Sequence, residues 1–82
     1  MYFVYILQCS DKSLYIGYTN NLDKRVLAHN GSRRGARYTK TRRPVILKYS
    51  EKFRTLSRAL KREYELKTWP RKKKLELINK IK

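Results

Sequence analysis

The sequence predicts a small α+β domain in which a three-stranded antiparallel sheet is flanked by helices, in the order β-β-α-β-α-α. Two runs of β-branched and aromatic residues open the chain on either side of a turn. Apolar residues at helical spacing then follow side chains that are good N-caps. Eighty-two residues without a linker or internal repeat predict one domain, residues 1–82.

The first two strands are predicted at residues 2–9 and 14–19, joined by a three-residue turn. With that turn, Tyr5 pairs with Gly17, and Tyr5 and Tyr15 share one face as diagonal neighbours, roughly 7–8 Å apart. A slip of one residue would place the two rings on opposite faces. The predicted site therefore depends on this register.

The first helix is predicted to follow Asn20 or Asn21 as its N-cap and to run to about residue 30. Gly31 is expected to end it as a C′ glycine. A basic loop, residues 32–43, then leads to a third strand at residues 44–49.

The second long helix is predicted to start at a Thr55 or Ser57 cap. Its expected inward stripe is Leu56, Ala59, Leu60, Tyr64 and, at its end, Trp69. Pro70 breaks this helix and can open a last one. The apolar residues of that last helix are Leu75, Leu77, Ile78 and Ile81.

The charge predicts a polyanionic partner. Twenty-two Lys and Arg residues against six Asp and Glu residues give a net charge of +16. Binding a nucleic acid relieves the self-repulsion of such a surface and releases counterions. An anionic membrane surface is the weaker alternative, because no basic amphipathic helix with a wide apolar face is evident before the last dozen residues.

The cysteine and the N-terminus predict a cytoplasmic protein. The lone Cys9 cannot form an internal disulfide, and it is expected to pack as a small apolar strand residue. The apolar start of the chain is far shorter than a membrane span and lacks the features of a signal peptide.

The basic loop is the predicted nucleic-acid contact. Its candidate residues are Arg33, Arg34, Arg37, Tyr38, Lys40, Arg42 and Arg43. Such charges bind phosphate without reading sequence. The alternative is a solvated run of charge. A second basic run, residues 71–74, either extends this surface or only solubilises the last helix.

The candidate catalytic residues lie on predicted strands and helices. Arg25 and His29 are four residues apart, on one helix face, where Arg25 can hold a phosphate and His29 can donate a hydrogen bond or move a proton. Glu63 follows Ala59 and Leu60 by one turn, so it is expected to point inward, where a carboxylate needs a cation. Pairing with Arg25 is the structural alternative.

Tyrosines and a glycine on the first two strands complete the candidate site. In a chain with seven tyrosines, ordinary packing is the alternative for Tyr5 and Tyr15. Gly17 is less ordinary, because a glycine inside a strand often marks a bulge or a close backbone approach.

In chain order the positions are Tyr5, Tyr15-Ile16-Gly17, Arg25, His29 and Glu63. Their order and spacing resemble the GIY-YIG nuclease family across nearly the full chain, and the predicted element order is similar to that family's. The stretch from Tyr38-Thr39 onward is most similar to its small stand-alone bacterial members. The first motif here is Phe3-Val4-Tyr5, which keeps the tyrosine and lacks the glycine.

The resemblance implies hydrolysis of a phosphodiester bond with one divalent ion, Mg²⁺ or Mn²⁺. It implies that Glu63 holds the metal and that Arg25 neutralises charge on the phosphate. One tyrosine, helped by His29, would orient or deprotonate the attacking water, while the other holds the first in place. Which of Tyr5 and Tyr15 is the base stays open.

These observations lead to a metal-dependent endonuclease as the first hypothesis. Its expected substrate is DNA rather than RNA, selected by structure rather than by sequence, in repair or recombination. A protein partner that targets so small a domain is kept open. The second hypothesis is a non-catalytic nucleic-acid-binding module with the same fold. Structural ion pairing alone is the weakest alternative, given the charge.

Overall fold

The structure, a computed structural model, describes residues 1–31, 39 and 41–80. The elements in these ranges are β1 (Tyr2–Gln8), β2 (Leu14–Thr19), α1 (Leu22–Gly31), β3 (Ile46–Phe53), α2 (Leu56–Thr68) and α3 (Arg71–Asn79). The predicted class and element order are confirmed. Within the same ranges no helix is both long and apolar enough to cross a membrane.

The sheet is antiparallel, with β1 between β2 and β3. Tyr5 lies opposite Gly17 and Leu7 lies opposite Tyr15. The predicted register is therefore confirmed, and the two tyrosines share a face of the sheet. Because side chains alternate along a strand, the neighbours of Tyr5 in β1 point to the other face.

Two apolar clusters occupy the two faces. One consists of Val4, Ile6, Ile16, Ala59, Leu66 and Ile78. The other consists of Tyr5, Leu7, Cys9 and Val45, with Tyr15, Leu22 and Val26 packed against it. Helices α2 and α3 thus cover one face, and α1 covers the other. Cys9 is a buried free thiol, packed as a small apolar residue.

The prediction for β3 was too short. The strand begins two residues later than expected and continues to Phe53, which pairs with Tyr2 at the start of β1. Apolar periodicity missed this end because β3 is largely exposed, so polar residues are tolerated along it. Val45, just before the strand, is held by the side chain of Asn30, which accepts from its N–H (2.7 Å) and donates to its carbonyl (3.0 Å).

Helix α1 begins as predicted and ends differently. The side chain of Asn21 accepts a hydrogen bond from the backbone of Lys24 at 3.1 Å, which confirms Asn21 as the N-cap. The prediction for Gly31 was wrong, since Gly31 is the last residue of the helix and has no positive φ. Arg43 instead donates to the carbonyls of His29 (2.5 Å) and Ala28 (3.2 Å). A side chain from another segment therefore does part of the capping.

Helix α2 has the predicted cap and a different buried face. The Thr55 side chain accepts from the backbone of Arg58 at 3.3 Å. The predicted stripe was wrong at three positions, because Leu56, Leu60 and Tyr64 are 39%, 38% and 73% exposed. The residues that pack inward are Ala59, Leu66 and, half-buried, Trp69. Half-buried charged residues interrupt this face, so apolar spacing favoured the neighbouring stripe.

Helix α3 follows Pro70, as predicted. Ile78 is buried, and Leu75 and Leu77 are half-buried against the same cluster. Ile81 lies outside the described residues.

Candidate active site

The three predicted aromatic site residues form one cluster between β1, β2 and α1. The ring centroids of Tyr5 and Tyr15 are 6.4 Å apart. The His29 ring meets both edge-on, at 5.8 Å from Tyr5 and 5.2 Å from Tyr15. The strand register and the helical position of His29 therefore bring together groups that are distant in sequence.

A line of hydrogen bonds runs inward from Tyr5. The Tyr5 hydroxyl lies 2.9 Å from His29 Nε2, and His29 Nδ1 lies 2.8 Å from Thr39 Oγ1. His29 and Thr39 are both fully buried. Thr39 was not among the predicted site residues, because one short hydroxyl side chain in a basic loop shows no periodicity that would mark it.

Burial keeps His29 neutral. Burial, together with the positive charges of Arg25 and Arg43, lowers the imidazole pKa to about 4. At pH 7 the ring therefore has one N–H donor and one acceptor nitrogen. Of its two predicted roles, hydrogen bonding is favoured over proton transfer near neutral pH.

Gly17 allows the Tyr5 ring to cross β2. A Cβ atom at this position would lie 2.5 Å from the Tyr5 hydroxyl oxygen and 2.7 Å from the adjoining ring carbon. Such distances are far inside van der Waals contact, so only glycine leaves room for the ring in this place. The sequence-based prediction of a close approach at Gly17 is confirmed, although the approaching group is a side chain and not backbone.

Arg25 and Glu63 both influence the pKa of the Tyr5 phenol. Burial raises the pKa of Tyr5 to about 12; a hydrogen bond from Arg25 and its charge act against this, while the charge of Glu63 adds to it. Arg25 comes from α1 and Glu63 from α2, on the opposite face of the sheet. All five predicted catalytic residues are therefore brought to one region.

The direction of the hydrogen bonds follows from the donors. Arginine only donates, so the Tyr5 oxygen accepts from Arg25. With that bond in place, the Tyr5 hydroxyl donates its own proton to His29 Nε2. The N–H at His29 Nδ1 then donates to Thr39 Oγ1. This tautomer is inferred from the network.

Glu63 is inward-facing, as predicted. Its side chain is 14% exposed and lies between Ala59 and Leu66, the two buried residues of α2. Its Oε2 atom lies 3.5 Å from the Nζ atom of Lys67, one turn along the helix. The predicted structural partner was Arg25, and the structure adds Lys67 as an ion-pair partner.

Comparison with known proteins identifies the family. The GIY-YIG catalytic domain matches residues 1–76. The chain belongs to the GIY-YIG family. The match includes every predicted catalytic position, so the absence of the glycine two residues before Tyr5 does not remove the chain from this nuclease family.

The relatives are small bacterial proteins, as predicted. The UPF0213 protein of Staphylococcus haemolyticus is 53% identical over 77 residues, which cover 94% of this chain and 93% of the relative. The UPF0213 protein of Staphylococcus aureus strain N315 is 58% identical over the same length and the same shares of both chains.

Solved structures agree with the fold. The solution NMR structure of the UPF0213 protein BH0048 from Bacillus halodurans is 41% identical, with a TM-score of 0.62 over 96% of this chain and 84% of that chain. That of the protein EF2693 from E. faecalis is 40% identical, with a TM-score of 0.66 over 98% and 84%.

The GIY-YIG site offers one carboxylate to a metal ion. Among the residues that the structure describes, no group of three or more His, Cys, Asp and Glu side chains could hold a metal. Mg²⁺ needs only one or two carboxylates, because water and substrate phosphates fill its other positions. Glu63 fits such a donor set, because its side chain is half-buried and its own ion pair with Lys67, at 3.5 Å, is long for a hydrogen bond.

Two arginines of the predicted nucleic-acid contact have structural partners. Arg42 forms an ion pair with Asp11 in the β1–β2 turn at 3.0 Å, and Arg43 binds the end of α1. These contacts hold Arg42 at the β1–β2 turn and Arg43 at the end of α1. The remaining predicted contacts lie outside the described residues: Arg33, Arg34, Arg37, Tyr38 and Lys40.

Proposed function

We propose that this GIY-YIG domain is an endonuclease that hydrolyses phosphodiester bonds of DNA with one divalent ion, Mg²⁺ or Mn²⁺. The observation that carries the proposal is that Arg25 and Glu63 act on one buried phenol, Tyr5, with Tyr15 at its side. A fixed cation, a single acid and two phenols around one point suit the charge changes of phosphoryl transfer.

Arg25 binds the scissile phosphate in this proposal. Its guanidinium keeps its charge at any physiological pH and offers several donors to non-bridging oxygens, on which charge grows in the transition state. Glu63 would hold the divalent ion, which supplies further neutralisation of the phosphate and of the leaving 3′ oxygen.

We propose that Tyr15, and not Tyr5, contacts the attacking water. Tyr15 is half-buried and borders a cavity, so it is more accessible to solvent and substrate than Tyr5. Tyr5 is 1% exposed, and its pKa of about 12 keeps it protonated. Tyr15 thus orients the attacking water by a hydrogen bond, while Tyr5 holds Arg25 in place by accepting its hydrogen bond.

His29 and Thr39 act as positioning residues for Tyr5. A neutral imidazole with a pKa of about 4 is a poor proton acceptor at pH 7, so its contribution is geometric. Hydrogen bonds at both ring nitrogens fix the imidazole, and the imidazole fixes the phenol.

The finer parts of the proposal rest on charge. A net charge of +16 suits a polyanion. We propose DNA recognised by shape, as in repair or recombination, since positive charge binds phosphates without reading bases. We also propose the cytoplasm as the compartment, in keeping with the free thiol of Cys9, and leave open a protein that directs the domain to its target.

A second function is a nucleic-acid-binding module without catalysis. The observation that favours it is the ion pair between Glu63 and Lys67, because an acid that serves only the fold would need such a partner. In that case the positive surface would bind DNA or RNA and the Tyr5 cluster would only stabilise the fold.

A cleavage assay separates the two functions. Labelled single-stranded, duplex and branched DNA, with matched RNA, are incubated with the protein in Mg²⁺, Mn²⁺ or EDTA, beside Glu63→Gln. We expect cutting of DNA that needs the metal and is lost in the variant, with binding retained. Tight binding without cutting under either metal would establish the binding module instead.

A further inference from the structure

A cavity of about 220 Å³ lies beside Tyr15 at the edge of the sheet. Its lining residues are Leu14, Tyr15 and Ile16 of β2, Lys67 of α2 and Lys74 of α3. Ligand pockets for drug-sized molecules measure about 300–1,000 Å³, so this space suits one small group rather than a whole nucleotide. Three elements therefore place two lysines on the wall of a small cavity that borders the proposed site.

Lys74 differs from the other basic residues of the 71–74 run. Arg71 donates to the carbonyl of Lys12 at 2.6 Å, and the Lys73 ammonium lies over the Trp69 ring at 4.3 Å. Lys72 is exposed, whereas Lys74 is half-buried along the cavity wall. The sequence left open whether this run binds nucleic acid or solubilises the helix, and the structure gives its members different surroundings.

Lys67 connects the cavity with the acid of the site. Its ammonium is 3.5 Å from Glu63 Oε2, and its side chain is 53% exposed. Glu63 is only 14% exposed, so the pair is open to solvent mainly on the lysine side. A phosphate that enters the cavity can therefore contact this ammonium from its exposed side.

We infer that Lys67 and Lys74 form a phosphate subsite for the nucleotide next to the scissile bond. The inference rests on the proposed function for its place in the reaction. The ligand is a phosphodiester of a nucleic-acid strand, held by two ammonium groups while Leu14 and Ile16 supply an apolar wall. The strand then crosses the β2 edge, with the scissile phosphate at Arg25 and its neighbour in the cavity.

The test is a binding measurement that does not depend on cleavage. Affinity for a labelled single-stranded DNA is measured in EDTA at several salt concentrations for the wild type, Lys74→Gln and Lys72→Gln. Both variants lose one charge from the same helix, so they differ only in access to the cavity. We expect a five- to tenfold loss for Lys74→Gln, with a salt slope lower by about 0.7, and less than a twofold loss for Lys72→Gln.

Two further variants keep the outcome interpretable. Lys74→Arg keeps the charge and should restore most of the affinity, and Lys67→Gln should weaken binding to a similar extent as Lys74→Gln. Equal losses in Lys74→Gln and Lys72→Gln, or no loss in either, would overturn the subsite. Because EDTA removes metal-dependent cutting, a protein that never cleaves still gives a decisive answer.

Discussion

Two polar clusters meet at helix α2, and they are built from the same residue types. The first surrounds Tyr5 and has Tyr15, Arg25, His29 and Glu63 around it. The second, here called the Arg62 cluster, consists of Tyr49, Glu51, Arg62 and Glu65. Each contains tyrosine, arginine and glutamate, so composition alone does not tell a site from a structural contact.

The Arg62 cluster closes on itself. Arg62 donates to both carboxylate oxygens of Glu51 at 2.9 Å and to Glu65 at 2.5 Å, and its guanidinium lies 5.1 Å from the Trp69 ring centroid. Burial alone would raise the pKa of Glu51, but hydrogen bonds from Arg62 and Tyr49 outweigh it and leave that pKa lowered. Arg62 and its two glutamates therefore neutralise one another, and the contact with Glu51 links β3 to α2.

The Tyr5 cluster is built around a phenol that stays neutral, and its acid and arginine come from opposite faces of the sheet. Its outer tyrosine borders a cavity with two lysines. We therefore expect the Arg62 cluster, in which the charges pair with one another, to serve stability. The Tyr5 cluster, which has a neutral phenol at its centre and borders a cavity, is expected to serve chemistry.

The largest effect is expected from Tyr15→Phe. Loss of the hydroxyl should lower the cleavage rate by about 10²–10³-fold and change DNA affinity less than threefold, because its proposed role lies in the transition state. Single-turnover cleavage and binding in EDTA measure the two quantities. Tyr18→Phe, on the same strand and 42% exposed, is the matched control and should cut normally. Equal losses of binding and cutting would exclude the proposed role.

Gly17→Ala should affect both activity and stability. Its Cβ would overlap the Tyr5 hydroxyl, and relieving such overpacking typically costs about 1–3 kcal/mol. We expect that loss of unfolding free energy, measured in urea, with at least a tenfold loss of cleavage. Gly31→Ala is the control, since no atom lies within 4 Å of its added Cβ. A fully stable and active Gly17→Ala protein would contradict the close approach.

Arg62→Met should change stability alone. Removing the guanidinium leaves the half-buried Glu51 without its main partner, which we expect to cost about 2 kcal/mol. Cleavage below the unfolding temperature should stay within twofold of the wild type. Urea unfolding and a cleavage assay on the same sample check both statements. A selective loss of cleavage would place the Arg62 cluster in the active site.

The sequence predicted these two clusters unequally. Tyr5, Tyr15 and Gly17 were placed by strand alternation and a short turn, both of which are local rules. The predicted face of α2 was wrong because its inward side carries Arg62 and Glu63 between Ala59 and Leu66. Apolar spacing cannot identify a half-polar face, because the pairing of Arg62 with Glu51 forms only when β3 packs against α2.

Long-range hydrogen bonds also escaped prediction. Thr39 on His29, Arg43 on the end of α1 and Asn30 on Val45 each join segments that only the fold brings together. No local sequence pattern predicts such contacts. They determine where α1 ends and which way the His29 ring faces, so the geometry of the site was less predictable than its membership.

The last of these predictions concerns the charge of His29, the one histidine in the chain. Its folded pKa of about 4 lies below its ordinary value near 6.5, so the unfolded chain binds more protons between these values. Stability should be fully present above pH 6.5 and should fall as the pH drops towards 4. An NMR titration of the imidazole should give a midpoint near 4, and a midpoint near 6.5 would contradict its burial.

The most direct measurement compares Glu63→Gln with Glu51→Gln in one experiment that records both cleavage rate and unfolding free energy. We expect Glu63→Gln to abolish metal-dependent cutting while it stays folded, and Glu51→Gln to lose stability while it still cuts below its unfolding temperature. If Glu63→Gln cuts normally, or if folded Glu51→Gln does not cut, the division between a catalytic Tyr5 cluster and a structural Arg62 cluster is wrong.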